Sequence, residues 1–100
     1  MRVNEFQEAC KRTAPRIDDF EKAVSYAGLK VASEGGEVAG AIGKWLGQGK
    51  ELSVEEIVEE CGDVVWHVAH LLLVLGVSLE ECLVKNQEKL KERYPNGNEG

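Results

Sequence analysis

Four short polar patterns that can begin a helix constrain the fold of this chain more than any other feature. In each pattern, a side chain that accepts hydrogen bonds from helix N–H groups precedes a Glu or Gln by three residues. The four pairs are Asn4 with Gln7, Asp18 with Glu21, Ser53 with Glu56, and Ser78 with Glu81. Such capping boxes satisfy backbone N–H groups that a helix leaves without partners at its start. The sequence therefore predicts four helices.

Signals that end a helix follow each of these starts. They are Thr13 to Pro15, Gly47 with Gly49, Gly76, and Tyr94 before Pro95, and glycine or proline at such positions commonly ends a helix. No segment alternates apolar and polar residues over a length that would predict a strand. We therefore expect an all-α fold. One hundred residues suit a single domain spanning 1–100, with a polar tail at about 96–100 that we expect to fray.

The two central predicted helices each carry a pair of acids three residues apart. Glu34 falls within the apolar stripe of the second helix and Glu37 lies at the margin of that stripe. Glu60 and Asp63 lie along the edge of the apolar face of the third helix. If the loop at 47–52 joins the two helices as antiparallel neighbours, the four carboxylates come together.

Four carboxylates in one pocket repel each other or acquire raised pKa values unless a multivalent cation binds among them. A ligand set made only of oxygen suits Mg²⁺ or Mn²⁺ better than zinc. A di-iron site is disfavoured because its Glu-x-x-His pattern would need histidine at position 37 or 63, where Glu37 and Asp63 stand. The alternative is a solvated acidic face paired with lysines, and the repetition of the pattern on two helices favours the metal site.

Glycine is frequent in the second predicted helix, at Gly35, Gly36, Gly40 and Gly43. Each interior glycine destabilises a helix by about 1 kcal/mol relative to alanine. Three explanations remain open at this point: close approach of another helix, access of a ligand to the backbone, or a break in the helix.

The two acidic pairs occur in an order that resembles the MazG-like nucleotide pyrophosphohydrolases, whose signature is E-x-x-E, a spacer, and E-x-x-D. In this chain Glu34 and Glu37 are followed by Glu60 and Asp63. The family also tends to end in a K-N-x-x-K-L-x-x-R-Y-P segment, and the residues from Lys85 to Pro95 match it. The resemblance extends over about residues 3 to 97.

This resemblance implies a four-helix MazG-like bundle that hydrolyses a nucleoside or deoxynucleoside triphosphate to the monophosphate and pyrophosphate. It implies Mg²⁺ as cofactor, with Mn²⁺ as a possible substitute. Carried over by position, the metal-binding and catalytic residues are Glu34, Glu37, Glu60 and Asp63, with the general base among them unassigned. The expected substrate-binding residues are His67, Lys85, Asn86, Lys89 and Arg93. His67 stands where relatives often carry tyrosine. The alternative function is a non-catalytic helical oligomerisation or interaction module.

The expected partners are the nucleotide substrate and further copies of the chain, as a homodimer or homotetramer. An apolar second face on the third helix, formed by Gly62, Trp66, Ala69 and Leu73, predicts this self-association. A net charge of −6, with acids interleaved among the basic residues, argues against nucleic-acid binding. The longest apolar run, residues 68–77, is too short to span a bilayer. We therefore expect a cytoplasmic protein with no membrane partner and reduced cysteines.

Overall fold

Four helices make up the fold of residues 1–97, the part of the chain that this computed structural model describes. They are α1 (Val3–Cys10), α2 (Phe20–Gln48), α3 (Val54–Leu75) and α4 (Leu79–Arg93), and no strand occurs among these residues. The predicted all-α fold with four helices is confirmed. The tail that was expected to fray lies mostly outside the described residues.

Two of the four predicted caps begin their helices as expected. The Ser53 hydroxyl accepts a hydrogen bond from the Glu56 N–H at 3.2 Å, and the Ser78 hydroxyl accepts one from the Glu81 N–H at 3.0 Å. Glycines end the two longest helices. Gly49 ends α2 with a φ angle of 67°, and Gly76 ends α3 with a φ angle of 74°. This left-handed conformation suits glycine, which has no Cβ to clash with the backbone.

The other two predicted caps are wrong. Asp19, and not Asp18, caps α2 by accepting a hydrogen bond from the Lys22 N–H at 2.9 Å. The N-cap of α1 is Arg2, so Asn4 lies inside the helix. Asn4 and Gln7 do not cap their own helix because their side chains bind to other parts of the chain.

Asn4 and Gln7 instead cap the start of α4 from outside. The Leu79 N–H donates to Oε1 of Gln7 at 2.9 Å, and the Glu80 N–H donates to Oδ1 of Asn4 at 3.3 Å. The amide nitrogen of Gln7 also donates to the carbonyl oxygens of Ala69, at 3.3 Å, and Val77, at 3.0 Å. One buried amide therefore joins α1 to α3, to the α3–α4 connection and to α4.

The helices pack in two groups that share α3. α2 lies along α3, whereas α1 packs against both α3 and α4. A buried cluster of Cys10, Ala69 and Leu79 fills the junction of α1, α3 and α4, and these residues pack against it: Phe6, Trp66, Val68, Leu72 and Leu73. The prediction that a second apolar face of α3 is free for self-association is therefore wrong for three of its four residues. α1 covers Trp66, Ala69 and Leu73 within the same chain, and Gly62 alone of that set is exposed.

The glycines of α2 neither break the helix nor accommodate a close helix neighbour within the chain. α2 is continuous from Phe20 to Gln48. A Cβ atom built on Gly35, Gly36, Gly40 or Gly43 would have no neighbour within 4 Å. Of the three explanations, a break in α2 and close approach by another helix of the same chain are therefore excluded for the described residues.

α4 leaves α3 at a sharp corner. The two helices are bent by 104° across the short connection that contains Gly76. Within the described part of the chain, no individual helix has the length and apolarity needed to cross a membrane, and α3 with α4 passes that test only as this bent pair. Because of the corner, α4 packs against α1 and makes no comparable contact with α2.

The hydrophobic core is thin for a chain of this length. The buried apolar residues are small or few, and no large side chain among the described residues is fully buried. The solvent-accessible surface of the chain is 7605 Å², whereas that of a compact monomer of this mass is about 5,600 Å². Its radius of gyration is 16.3 Å, against about 13 Å for a typical 100-residue domain.

We predict that Gln7→Met destabilises the fold by about 2–4 kcal/mol, because the substitution leaves buried backbone groups of α3 and α4 without partners. Urea denaturation followed by circular dichroism measures this free energy of unfolding. Gln87→Met on the exposed surface of α4 is the matched control, and we expect it to change stability by less than about 0.5 kcal/mol. Equal effects of the two substitutions would contradict the role assigned to Gln7.

Candidate functional site

Three carboxylates from α2 and α3 converge where the two helices face each other. They belong to Glu34, Glu60 and Asp63, and one oxygen from each lies within 4.8 Å of the others. The side chain of Glu34 is 15% exposed, whereas Asp63 is exposed and Glu60 is intermediate. We call these three residues the carboxylate triad.

Helix geometry explains how the triad forms. Residues three apart lie on the same side of a helix, so Glu60 and Asp63 both face α2. The short connection between α2 and α3 makes the helices antiparallel neighbours, which brings Glu34 opposite this pair. Glu37, the fourth predicted metal ligand, is exposed and lies outside the triad.

Partial burial and neighbouring negative charges disfavour the ionised form of Glu60. Partial burial raises the pKa of Glu60, and the negative charge of Asp63 raises it further. Glu37 and Glu34 contribute to this increase in the pKa of Glu60 as well. Glu37 is therefore close enough to influence the triad although it does not belong to it.

The donor set of the triad fits a hard divalent cation. Its three residues offer only carboxylate oxygens, and oxygen ligands are those that Mg²⁺ and Mn²⁺ prefer. A divalent ion would also offset the repulsion that raises the pKa of Glu60. Asp63 is exposed, so the triad is open to solvent on that side.

Two lysines of α2 pair with acids at opposite ends of this site. Nζ of Lys30 lies 3.4 Å from Glu34, and Nζ of Lys44 lies 2.8 Å from Glu56 at the start of α3. Neither lysine was identified from the sequence as a site residue. The four-residue spacing of Lys30 and Glu34 is a signal that could have revealed the first pair. The second pair joins two helices, and no local spacing predicts it.

Aromatic rings lie beyond Asp63 on α3. The predicted substrate-binding residue His67 places Nδ1 2.8 Å from the carbonyl oxygen of Asp63, and its ring meets Trp66 edge to face at 4.8 Å. His70 stacks on Trp66 at 5.4 Å and meets the edge of Tyr26 on α2 at 6.5 Å. His70 is buried, and its Nδ1 has no partner within residues 1–97. Burial, and then the nearby His67, lower the pKa of His70.

The structure does not bring the predicted substrate-binding residues of α4 to the triad. Lys85 pairs with Glu81 of its own helix at 3.4 Å. Asn86, Lys89 and Arg93 are exposed on α4, which packs against α1. Their role at a substrate stays a prediction.

Comparisons with known proteins show which family this chain belongs to. The gene 37 protein of Mycobacterium phage L5 is 31% identical over 105 aligned residues, which cover 97% of this chain and 92% of that protein. The uncharacterized protein YvdC of Bacillus subtilis (strain 168) is 45% identical over 40 residues, which cover 40% of this chain and 38% of YvdC. No solved structure matches the chain significantly. The model of the MazG nucleotide pyrophosphohydrolase domain matches residues 25–98, a span that includes both acidic pairs. The chain therefore belongs to the MazG nucleotide pyrophosphohydrolase family.

Proposed function

We propose that this protein hydrolyses a nucleoside or deoxynucleoside triphosphate to the nucleoside monophosphate and pyrophosphate, with Mg²⁺ as its cofactor. The observation that carries the proposal is the carboxylate triad, whose oxygens lie within 4.8 Å of one another on facing helices. Membership of the MazG family supports a nucleotide as substrate and a phosphoanhydride as the bond that is broken.

Each residue of the triad has a task in this reaction. Glu34, Glu60 and Asp63 would hold the cation beside the phosphate chain. A bound Mg²⁺ offsets charge on phosphate oxygens and favours attack by water. Glu37 is exposed and outside the triad, so its carboxylate is free to accept a proton from that water. We assign Glu37 as the general base on this ground.

The alternative function, a non-catalytic interaction module, requires the acids to be neutralised by lysines. Glu34 has such a partner in Lys30, at 3.4 Å. Glu60 and Asp63 form no salt bridge within the described residues. Two acids that repel each other and form no salt bridge among these residues are better explained by a metal ion than by a protein interface.

Incubation with Mg²⁺ and a panel of nucleoside triphosphates in ¹⁸O-enriched water tests the proposed reaction. We expect the label in the nucleoside monophosphate, since water attacks the α-phosphorus. Glu37→Gln should lower the turnover rate by roughly a hundredfold or more, as expected for loss of a general base. Label found only in orthophosphate would show cleavage at the γ-phosphorus and would contradict the proposal.

Glu60→Gln provides a test of the metal site that does not depend on turnover. In the presence of EDTA, we expect this substitution to raise the melting temperature because it removes charge repulsion from the triad. With Mg²⁺ at 100 times its Kd, the wild type should gain about 2.7 kcal/mol of stability. Glu60→Gln should lose most of that gain because one oxygen ligand is replaced by a weaker amide.

The control is Glu59→Gln, which removes the same charge from an exposed neighbour outside the triad. It should leave both the melting temperature in EDTA and the Mg²⁺ response close to those of the wild type. An undiminished Mg²⁺ response in Glu60→Gln would exclude Glu60 as a ligand.

We propose further that the chain functions as a homodimer or homotetramer. The support is the exposed apolar surface of α3 that α1 leaves bare, formed by Val54, Val58, Cys61, Gly62 and Val65. Val54 and Val58 are each 62% exposed. The chain exposes 7605 Å², about 2,000 Å² more than a compact monomer of its mass. Each partner in a standard interface buries about 800 Å², so this excess is sufficient.

Light scattering coupled to size exclusion tests the oligomer. The wild type should elute with two or four times the chain mass of 11.0 kDa. Val58→Asp should shift the protein towards the monomer, because a charge would be buried at the interface. Val84→Asp, at a 43% exposed position of α4, is the control and should keep the wild-type mass. A wild-type monomer at micromolar concentration would contradict the proposal.

A further inference from the structure

We propose that Lys44 binds the β- and γ-phosphates of the substrate, and that Glu56 holds its ammonium group in place until the substrate arrives. This inference rests on the proposed function, because it takes a nucleoside triphosphate as the ligand. It adds to the site a residue from the end of α2, the helix that also carries Glu34.

The position of Lys44 carries the first part of the argument. Lys44 lies seven residues after Glu37, two turns further along the same side of α2. Side chains on a helix lean towards its N-terminus, so Lys44 leans back towards the level of the acids. Its Nζ atom is 2.8 Å from Glu56, one turn before Glu60 on α3. Glu56, and then Glu37 and Glu60, raise the pKa of Lys44 and keep it charged.

The charge balance of the site favours such a cation. Glu34, Glu37, Glu60 and Asp63 carry one formal negative charge each when ionised, and one divalent ion offsets half of that total. A triphosphate adds several more negative charges, which the site must compensate. Within one chain, the α4 cations lie on a helix that packs on α1 and makes no comparable contact with α2. Lys30 is already paired with the triad residue Glu34.

The pair between Lys44 and Glu56 is suited to release its lysine. The two side chains are 49% and 36% exposed, and an ion pair so open to water contributes little to stability. Glu56 is outside the triad. The ammonium group can therefore turn from one carboxylate to phosphate oxygens without loss of a buried interaction.

The order of residues along the helices gives the bound substrate a direction. The triad lies between Lys44 at one end of the site and the rings of Tyr26 and His67 at the other. If the α-phosphate lies at the triad and the distal phosphates reach Lys44, the nucleoside extends towards these rings.

Calorimetric titration of inorganic triphosphate in the presence of Mg²⁺ tests this assignment without any turnover. We expect Lys44→Gln to weaken the binding of triphosphate by roughly tenfold, the loss expected for one charge-assisted hydrogen bond. Orthophosphate, which is too short to reach both the triad and Lys44, should bind with an affinity changed by less than about twofold. Lys22→Gln, which removes an exposed lysine from the first turn of α2, is the control for net charge.

Glu56→Gln separates phosphate binding from a merely structural tie between α2 and α3. It frees Lys44, so triphosphate should bind at least as tightly as to the wild type. Equal losses of triphosphate affinity in Glu56→Gln and Lys44→Gln would overturn the proposal. Unchanged triphosphate binding in Lys44→Gln would overturn it too, as would the absence of triphosphate binding by the wild type. If triphosphate binding depends on Lys44 but no nucleotide is hydrolysed, the proposed function fails and this assignment stands. If a nucleotide is hydrolysed but triphosphate binding does not depend on Lys44, the proposed function stands and the assignment of Lys44 fails.

Discussion

The packing of α2 against α3, the most extensive helix contact among the described residues, brings acids of both helices together. Glu34, Glu60 and Asp63 approach each other there, and their repulsion opposes the contact that buries the apolar residues of the two helices. Lys30 and Lys44 offset part of this charge from opposite ends. A divalent cation between the helices would offset more of this repulsion and so favour the contact.

The helix count and most helix boundaries followed from local chemistry. Ser53 and Ser78 begin their helices because their hydroxyls accept hydrogen bonds from residues only three positions away, a relation visible in the sequence. Asn4 shows where such reasoning fails. The local spacing of Asn4 and Gln7 predicts a cap for α1, but the Asn4 side chain binds Glu80, which is 76 residues away. Tertiary contacts of this kind replace local capping, and no spacing rule includes them.

The part of the site that depends on local spacing could likewise be predicted from the sequence. Three-residue spacing placed Glu60 and Asp63 on one side of α3, and the short loop placed α2 opposite them. The separation of Glu37 from the triad was not predictable, because it depends on the rotation of one helix relative to the other. The pairing of Lys44 with Glu56 depends on that rotation too. The cationic end of the site therefore emerged only from the three-dimensional arrangement.

The hydrogen bonds of Gln7 have a consequence for the order in which the chain is assembled during synthesis. Its amide binds backbone groups 62, 70 and 72 residues further along the chain. α1 is synthesised before its partners, and the last of these leave the ribosome only after α3 is complete. α2 and α3, joined by a short loop, can pair earlier at a smaller entropic cost of loop closure. α1 is thus made before the segments that bind it and is fixed after them, because a helix of eight residues is too short to be stable alone.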